Sequence, residues 1–287
     1  MSTIEDGMLR GPARRPINAH QEAPNSIHND EVAGSLGFRG GTVAGSIHMD
    51  QFPPLLVQAF GQRWFETGSL SLQFRNATTS GEEVSPLLGD PGASDDVQVP
   101  ARMLRDDGLL VAEGTASIGN PSEQSHLHSI DLRPSDPSEL KMFPHLAIGE
   151  VIMEHEGSVA SADAIGRADK GLITEPMGWY LGDSPWGGPI AGPSQVIGLL
   201  WRRTTGVLTA STGGAVGLFG AIEVRHLNGP VMADTTYQVE SRVVAPGASP
   251  KTEYVWFDST ASDDTGTPIA TMRMQLRWMK ASSSLFS

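Results

Sequence analysis

The alternation of apolar and polar side chains predicts that most of the chain forms β-strands. In Ser69 to Asn76, which reads SLSLQFRN, the apolar residues lie on one face of an extended chain, and Gly217 to His226 has a similar pattern. Such a strand buries one face and exposes the other. Shorter alternating runs predict further strands at Val97 to Leu104, Leu109 to Ile118, Glu150 to Val159, Tyr237 to Val244, Glu253 to Ser259 and Pro268 to Trp278.

Two apolar runs lack this alternation and predict helices instead. They are Ser46 to Phe60 and Ser194 to Thr204. Pro53 and Pro54 lie inside the first run, and because proline has no amide hydrogen to donate, we expect that helix to break or kink there. A shorter helix is predicted from Ser161.

The order of these elements repeats in the two halves of the chain. GFRGGTVAG, which ends at Gly45, is echoed by SPWGGPIAGP, which ends at Pro193, and each is followed by the helical run and then by an alternating strand. We therefore predict an α+β protein in which each half is an antiparallel sheet wrapped around a central helix. The predicted boundaries are 1–118 for a first domain with an abbreviated start, 119–147 for a proline-rich connector, 148–280 for a second domain and 281–287 for a tail.

Composition narrows the possible functions. The 287 residues carry a formal charge of -13, which disfavours contact with nucleic acid or anionic lipid. The same charge disfavours coenzyme A unless arginines collect at a pocket mouth. No cysteine, signal peptide or membrane-spanning run occurs, so we expect a cytoplasmic protein without a membrane partner. No nucleotide-binding motif is found and no third ligand accompanies His126 and His128, so we expect no cofactor and no metal.

The segment NSIHNDEVAGSLGFRGGTVAGS resembles the signature of MaoC-like hotdog hydratases. The matching positions are Asn25, Ile27, His28, Asp30, Ala33, Gly37, Phe38 and Gly45. SPWGGPIAGPS in the second half resembles the partner half of fused double-hotdog dehydratases. This resemblance implies a tandem, or double, hotdog fold. It also implies a hydratase or dehydratase that acts on an acyl thioester.

The resemblance also assigns roles to residues of the first half. His28 would be the general base or acid, Asp30 a carboxylate that orients it, and Gly45 the backbone amide that stabilises an oxyanion. One position departs from the family, because Ala23 stands where the family has its catalytic aspartate. In the second half, Pro193 occupies the position equivalent to Gly45 and has no amide hydrogen, so we expect a single site in the first half.

We expect the substrate to contact a further set of polar and aromatic side chains, namely Asn25, Ser46, His48, Tyr180 and Trp186. The leading hypothesis is a lyase for an enoyl or 3-hydroxyacyl thioester, or a similar activated carbonyl compound. Three alternatives stay open: a hotdog thioesterase, a repurposed cyclase or isomerase for a polyketide-like substrate, and an acyl-binding protein without catalysis. The sequence allows a monomer or a homodimer.

Overall fold

The computed structural model describes residues 3–5, 7–173 and 177–287. Its strands form one antiparallel sheet of eleven strands in the order β1-β2-β4-β5-β6-β3-β8-β11-β10-β9-β7. The strands are β1 (Thr3–Glu5), β2 (Met8–Arg10), β3 (Ser69–Phe74), β4 (Val84–Gly89), β5 (Val97–Arg105), β6 (Leu110–Ile118), β7 (Val151–Ser158), β8 (Gly217–His226), β9 (Thr236–Ala248), β10 (Thr252–Ser262) and β11 (Pro268–Met279).

The two halves of the chain meet in the middle of this sheet. Strand β3 of the first half pairs with β8 of the second, with Leu70 opposite Val224 and Leu72 opposite Ile222. Outward from this pair, β6, β5, β4 and β2 on one side correspond to β11, β10, β9 and β7 on the other. The repeat in the sequence is therefore a repeat in the sheet.

Helices cover one face of the sheet. They are α1 (Asp30–Ser35), α2 (Gly45–Met49), α3 (Pro53–Phe60), α4 (Trp64–Thr67), α5 (Ser161–Asp169), α6 (Gly178–Leu181) and α7 (Pro193–Thr209). Helix α7 contacts all five strands from β7 to β11, so the second half of the sheet wraps around it. In the first half, the predicted helix is divided into α2 and α3, and Pro53 begins the second piece, as its missing amide hydrogen led us to expect.

The hydrophobic core is continuous between the halves. A single cluster joins side chains of α3 and α4, among them Leu56 and Phe65, to Leu200 of α7 and to the inward faces of the strands. Burial of so many apolar groups is the main stabilising contribution to a domain of this size. Within the described residues, no helix has both the length and the apolar character needed to cross a bilayer.

The structure differs from the sequence predictions at several elements. Strand β4 was not predicted, because VSPLLG is buried along its whole length and contains Pro86 instead of an alternating pattern. Helix α1 was not predicted either, although Asn29 caps it by accepting hydrogen bonds from the amides of Glu31 and Val32. In each half the strand after the central helix pairs with the last strand of that half, β3 with β6 and β8 with β11, and β3 and β8 pair with each other where the halves meet.

The connector between the halves crosses the face of the sheet opposite the helices. Its Leu127 is fully buried against Ala221, Ala245 and Trp256. The buried carboxylate of Glu223 on β8 accepts a hydrogen bond of 2.6 Å from Ser125 Oγ. The connector is therefore an ordered part of the fold despite its many prolines.

Candidate active site

A cavity of about 630 Å³ opens between the two halves of the molecule. Its lining comes from His20 and residues 23–28, from the start of α2, from α7, and from the start of β8 and the end of β11. Aromatic side chains supply much of the apolar lining, namely Phe38, Phe74, Trp201, Phe219 and Trp278. A concave, mainly apolar site with a few polar groups is typical of a small-molecule pocket.

His28 lies in this cavity with its ring held on one side only. Its Nδ1 is 2.7 Å from the backbone oxygen of Thr42. A carbonyl oxygen can only accept, so Nδ1 carries the proton and donates it, which leaves the lone pair on Nε2. No hydrogen bond to Nε2 is found within the described residues. The backbone of His28 is also held, because Asn18 Nδ2 donates to its oxygen at 2.6 Å.

His20 is a second imidazole beside the first. The centroids of the His20 and His28 rings are 5.5 Å apart, and both rings line the cavity. Burial lowers the pKa of His28 below its usual value of 6.5. Burial also lowers the pKa of His20, and the nearby charges of His28, Arg167 and Arg202 lower it further. Both rings are therefore neutral at neutral pH and can accept a proton.

Asp30 is not a neighbour of the His28 ring. Its Oδ1 accepts a hydrogen bond of 2.7 Å from the amide of Gly41, and its Oδ2 accepts one of 2.9 Å from Gln21 Nε2. These two bonds, that of Gly41 first, lower the pKa of Asp30, and the residue does not line the cavity. The described hydrogen bond to the His28 ring is thus with the Thr42 backbone oxygen, and Asp30 ties two segments of the surrounding loop together.

Gly45 and Ser46 also line the cavity. Gly45 is the first residue of α2, and no hydrogen bond from its amide or from that of Ser46 is found in the described part of the chain. A Cβ atom at Gly45 would lie 2.5 Å from Cζ of Phe74. Glycine at this position therefore lets the Phe74 ring pack directly over the start of the helix.

Asn25 and His48 also line the cavity, each with a structural bond of its own. Asn25 has a positive φ of 51°, and its Nδ2 donates to the oxygen of Gly214 at 2.8 Å, which ties the His28 loop to the second half. His48 is almost fully buried, its Nε2 lies 2.8 Å from Thr78 Oγ1, and burial lowers its pKa to about 4. His48 is therefore uncharged at neutral pH.

Tyr180 and Trp186 lie elsewhere, so the expectation that they contact a substrate in this cavity is not met. Neither residue is part of the cavity wall. Both pack edge-to-face against Phe65, with ring centroids 6.3 and 6.1 Å away, and Trp186 Nε1 donates to Glu66 Oε1 at 3.3 Å. They form an aromatic cluster near the start of α7, where apolar packing decides their positions.

Solved structures share this arrangement of strands and helices. A protein described as a MaoC domain dehydratase, from Chloroflexus aurantiacus J-10-fl, matches with a TM-score of 0.62 and 13% sequence identity, over 94% of this chain and 93% of that one. A conserved protein of Mycobacterium tuberculosis with a double hotdog fold matches with a TM-score of 0.54 and 13% identity, over 93% and 92% of the two chains. This chain is a double hotdog.

The dehydratase domain of RzxB from Pseudomonas fluorescens is a further structural match. Its TM-score is 0.53 at 14% identity, and the match covers 96% of both chains. No protein-family model matches the chain, and no curated protein matches it in sequence. At these identities the comparisons establish the fold and leave the reaction to be argued from the site.

The N-terminus of α7, which corresponds to the start of α2 in the first half, is bound by a side chain of the first half. Pro193 has no amide hydrogen, but the next amide, that of Ser194, donates to Oδ1 of Asp50 at 2.8 Å. Oδ2 of Asp50 is 3.1 Å from a guanidinium nitrogen of Arg167, which also donates to Ser194 Oγ at 2.7 Å. Asp50 is almost fully buried. A carboxylate of the protein thus fills the position where the second half would otherwise offer a backbone donor.

Several site residues of the double hotdog could not be found from local patterns. His20 precedes the signature segment and matches no motif, and Trp201 and Phe219 belong to the other half of the chain. The only sequence signal for His20 was a second histidine close before His28. Among the described residues, no group of three histidine or carboxylate side chains is arranged to hold a metal ion.

Gly41→Ala is expected to disturb the site without touching a catalytic group. A Cβ atom at this position would lie 2.2 Å from the backbone oxygen of His28, so the loop that carries the imidazole must shift. We expect the free energy of unfolding to fall by about 1–3 kcal/mol. At the assay temperature, we expect the steady-state rate to fall by a larger fraction than the free energy of unfolding does. Urea unfolding and the steady-state rate measure the two effects. Gly34→Ala, at an exposed helix position where an added Cβ meets nothing within 4 Å, is the matched control: we expect it to leave the rate unchanged and not to lower the free energy of unfolding, because alanine favours a helix more than glycine does.

Proposed function

We propose that this double hotdog is a hydratase or dehydratase for an enoyl or 3-hydroxyacyl thioester, or for a similarly activated carbonyl compound. The observation that carries the proposal is the placement of two groups in one cavity: the unbonded Nε2 of His28 and the backbone amide of Gly45. Hydration requires a base near the β-carbon and a hydrogen-bond donor near the thioester oxygen. The cavity offers both.

The proposed reaction uses His28 as the base. Its Nε2 takes a proton from water while the water oxygen bonds to the β-carbon, and the carbon–carbon double bond shifts toward the carbonyl carbon. Negative charge then develops on the thioester oxygen, and the Gly45 amide stabilises it by a hydrogen bond. A proton returned to the α-carbon completes the addition of one water molecule. Dehydration follows the same steps in reverse.

His20 is the proposed second proton-transfer group. Among the described residues that line the cavity, none is an aspartate or a glutamate, so no carboxylate there is available to share the proton transfer. The His20 ring faces the same space as the His28 ring, and Ala23 also lines the cavity, at the position where the resembling family has aspartate. A hydrogen bond of 2.9 Å from the Ala23 amide to the His20 oxygen places these two residues at the ends of one turn.

An isomerase or cyclase that moves a proton next to an activated carbonyl is the second candidate. The same lack of a lining carboxylate favours it, because a pair of neutral imidazoles suffices for proton transfer without water. A thioesterase is favoured less, because no carboxylate among the described lining residues could attack the thioester or activate a hydrolytic water.

The test incubates the purified protein with crotonyl-CoA and with a longer enoyl-CoA. Hydration predicts a loss of enoyl absorbance without release of free thiol. Free thiol would instead indicate hydrolysis and contradict the proposal, and the absence of both would also contradict it for these thioesters, leaving isomerisation or ligand binding. Since burial lowers the pKa of His28, the base form persists below pH 6.5, and we expect the hydration rate to fall only at lower pH.

A further inference from the structure

A second cavity, of about 340 Å³, lies between α5 and α7 on the second half of the protein. Its wall carries three cationic side chains, those of Arg167, Lys170 and Arg202. The chain as a whole has a formal charge of -13, so a concentration of positive charge in one depression is unusual on this surface. None of the three residues lines the apolar cavity that holds His28 and Gly45.

Several hydrogen-bond donors at this cavity have no acceptor. Among the described residues, the Nε atom of Arg167 and the Nε2 atom of Gln195 are buried and have no partner, and Gln195 as a whole is only 8% exposed. In the described part of the chain, Lys170 and Arg202 form no hydrogen bond or ion pair. Buried donors are ordinarily paired, so a set of unpaired donors around one cavity indicates a missing acceptor.

The negative groups nearby do not cancel this charge. Asp50 pairs with a terminal guanidinium nitrogen of Arg167, which leaves the Nε atom of Arg167 unpaired. Asp163 is the single carboxylate among the described residues of the cavity wall, and its one negative charge compares with the two positive charges of Lys170 and Arg202. The wall therefore keeps an excess of positive charge even when both carboxylates are counted.

We propose that this cavity binds a phosphate group. Guanidinium groups bind phosphate through several parallel hydrogen bonds, and an ammonium group adds a compact charge. A phosphate oxyanion offers enough acceptor oxygens for two arginines, one lysine and the Gln195 amide together, whereas a single carboxylate has two. Gly166 lines the cavity as part of α5, and the space beside it is open, because an added Cβ there would meet nothing within 4 Å.

The two cavities lie on neighbouring parts of α7. Trp201 lines the apolar cavity and Arg202, the next residue, lines the cationic one. Arg167 and Arg202 are also close enough to His20 for their charges to lower its pKa. The phosphate can thus belong to a molecule whose other end reaches the apolar cavity, or to a separate small ligand. Neither case requires that the protein be a hydratase.

The test measures binding of inorganic pyrophosphate by calorimetry at low ionic strength, where screening is weak. We expect saturable binding to the wild-type protein, and at least a fivefold rise in Kd for Arg202→Gln. Arg203→Gln removes the same charge from the next position of α7, outside the cavity wall, and is expected to change Kd by less than twofold. Absence of saturable binding, or equal weakening by the two substitutions, would overturn the proposal.

A competition experiment separates the two sources of phosphate. If 4′-phosphopantetheine displaces pyrophosphate and pantetheine does not, the phosphate belongs to a carrier arm of the substrate. If neither displaces pyrophosphate while Arg202→Gln still weakens its binding, the site holds a separate phosphate ligand. Both results support the phosphate site, and neither depends on whether crotonyl-CoA is hydrated.

Discussion

His28→Ala is expected to lower kcat/KM for the enoyl thioester by about 10²–10⁴-fold, the range typical for loss of a general base or acid. The substitution removes the Nε2 lone pair and, with it, the group that takes the proton from water. His20 remains in the cavity, but its ring centroid is 5.5 Å from that of His28, so it cannot replace Nε2 without moving. The loss should therefore appear mainly in the chemical step.

The fold is expected to survive this substitution. Within the described residues the His28 side chain makes one hydrogen bond, to the Thr42 oxygen, whose loss costs on the order of 1 kcal/mol. The loop keeps its backbone bond from Asn18. His145→Ala, which removes an exposed imidazole far from the cavity wall, is the control and should leave the rate unchanged. A folded His28→Ala protein that turns over substrate at the wild-type rate would show that the proposed mechanism is wrong.

Asp50→Ala is expected to lower the free energy of unfolding by about 2–3 kcal/mol, because it leaves two donors of the second half without their acceptor. Those donors are the Ser194 amide and the guanidinium group of Arg167. The Arg167 side chain is 23% exposed and can recover part of its hydration, so the loss should be smaller than for a fully buried pair. Urea unfolding measures it.

Asp50→Asn separates the charge from the hydrogen bonds. Burial, more than any other cause, raises the pKa of Asp50 despite its bonds with Arg167 and Ser194, so the charged form is penalised. Asparagine keeps an acceptor oxygen for the Ser194 amide without that penalty, and we expect a loss below about 1 kcal/mol. Asp169→Ala removes an exposed carboxylate at the end of α5 and is the control for loss of charge. Its free energy of unfolding should stay within about 0.5 kcal/mol of the wild-type value.

The pH dependence of the same pair has a definite sign. Because the folded pKa of Asp50 lies above its usual value of 3.8, the folded protein binds this proton more readily than the unfolded chain. The stability that Asp50 contributes by binding this proton is therefore fully present below pH 3.8, and it is lost as pH rises through the raised pKa. Asp50→Asn should remove this part of the pH profile. Identical profiles for wild type and Asp50→Asn would contradict the raised pKa.

The sequence by itself determined most of the strands, the central helices and the repeat between the two halves. The alternating run Gly217 to His226 became β8 with the predicted bounds, because a half-buried strand imposes a period of two on its own residues. The division of the first helix at Pro53 was likewise a local property. The positions of His28 and Gly45 in one cavity followed from a contiguous segment that the family resemblance identifies.

Only the tertiary structure decided which distant groups meet. Asp50 hydrogen-bonds to Ser194 and Arg167, which are far away in the chain. Tyr180 packs in an aromatic cluster instead of lining the cavity. The cationic cavity is also assembled from two helices whose separate sequences carry no anion-binding motif. Local propensity and period depend on neighbours along the chain, whereas these contacts depend on how the two halves pack across the central strand pair.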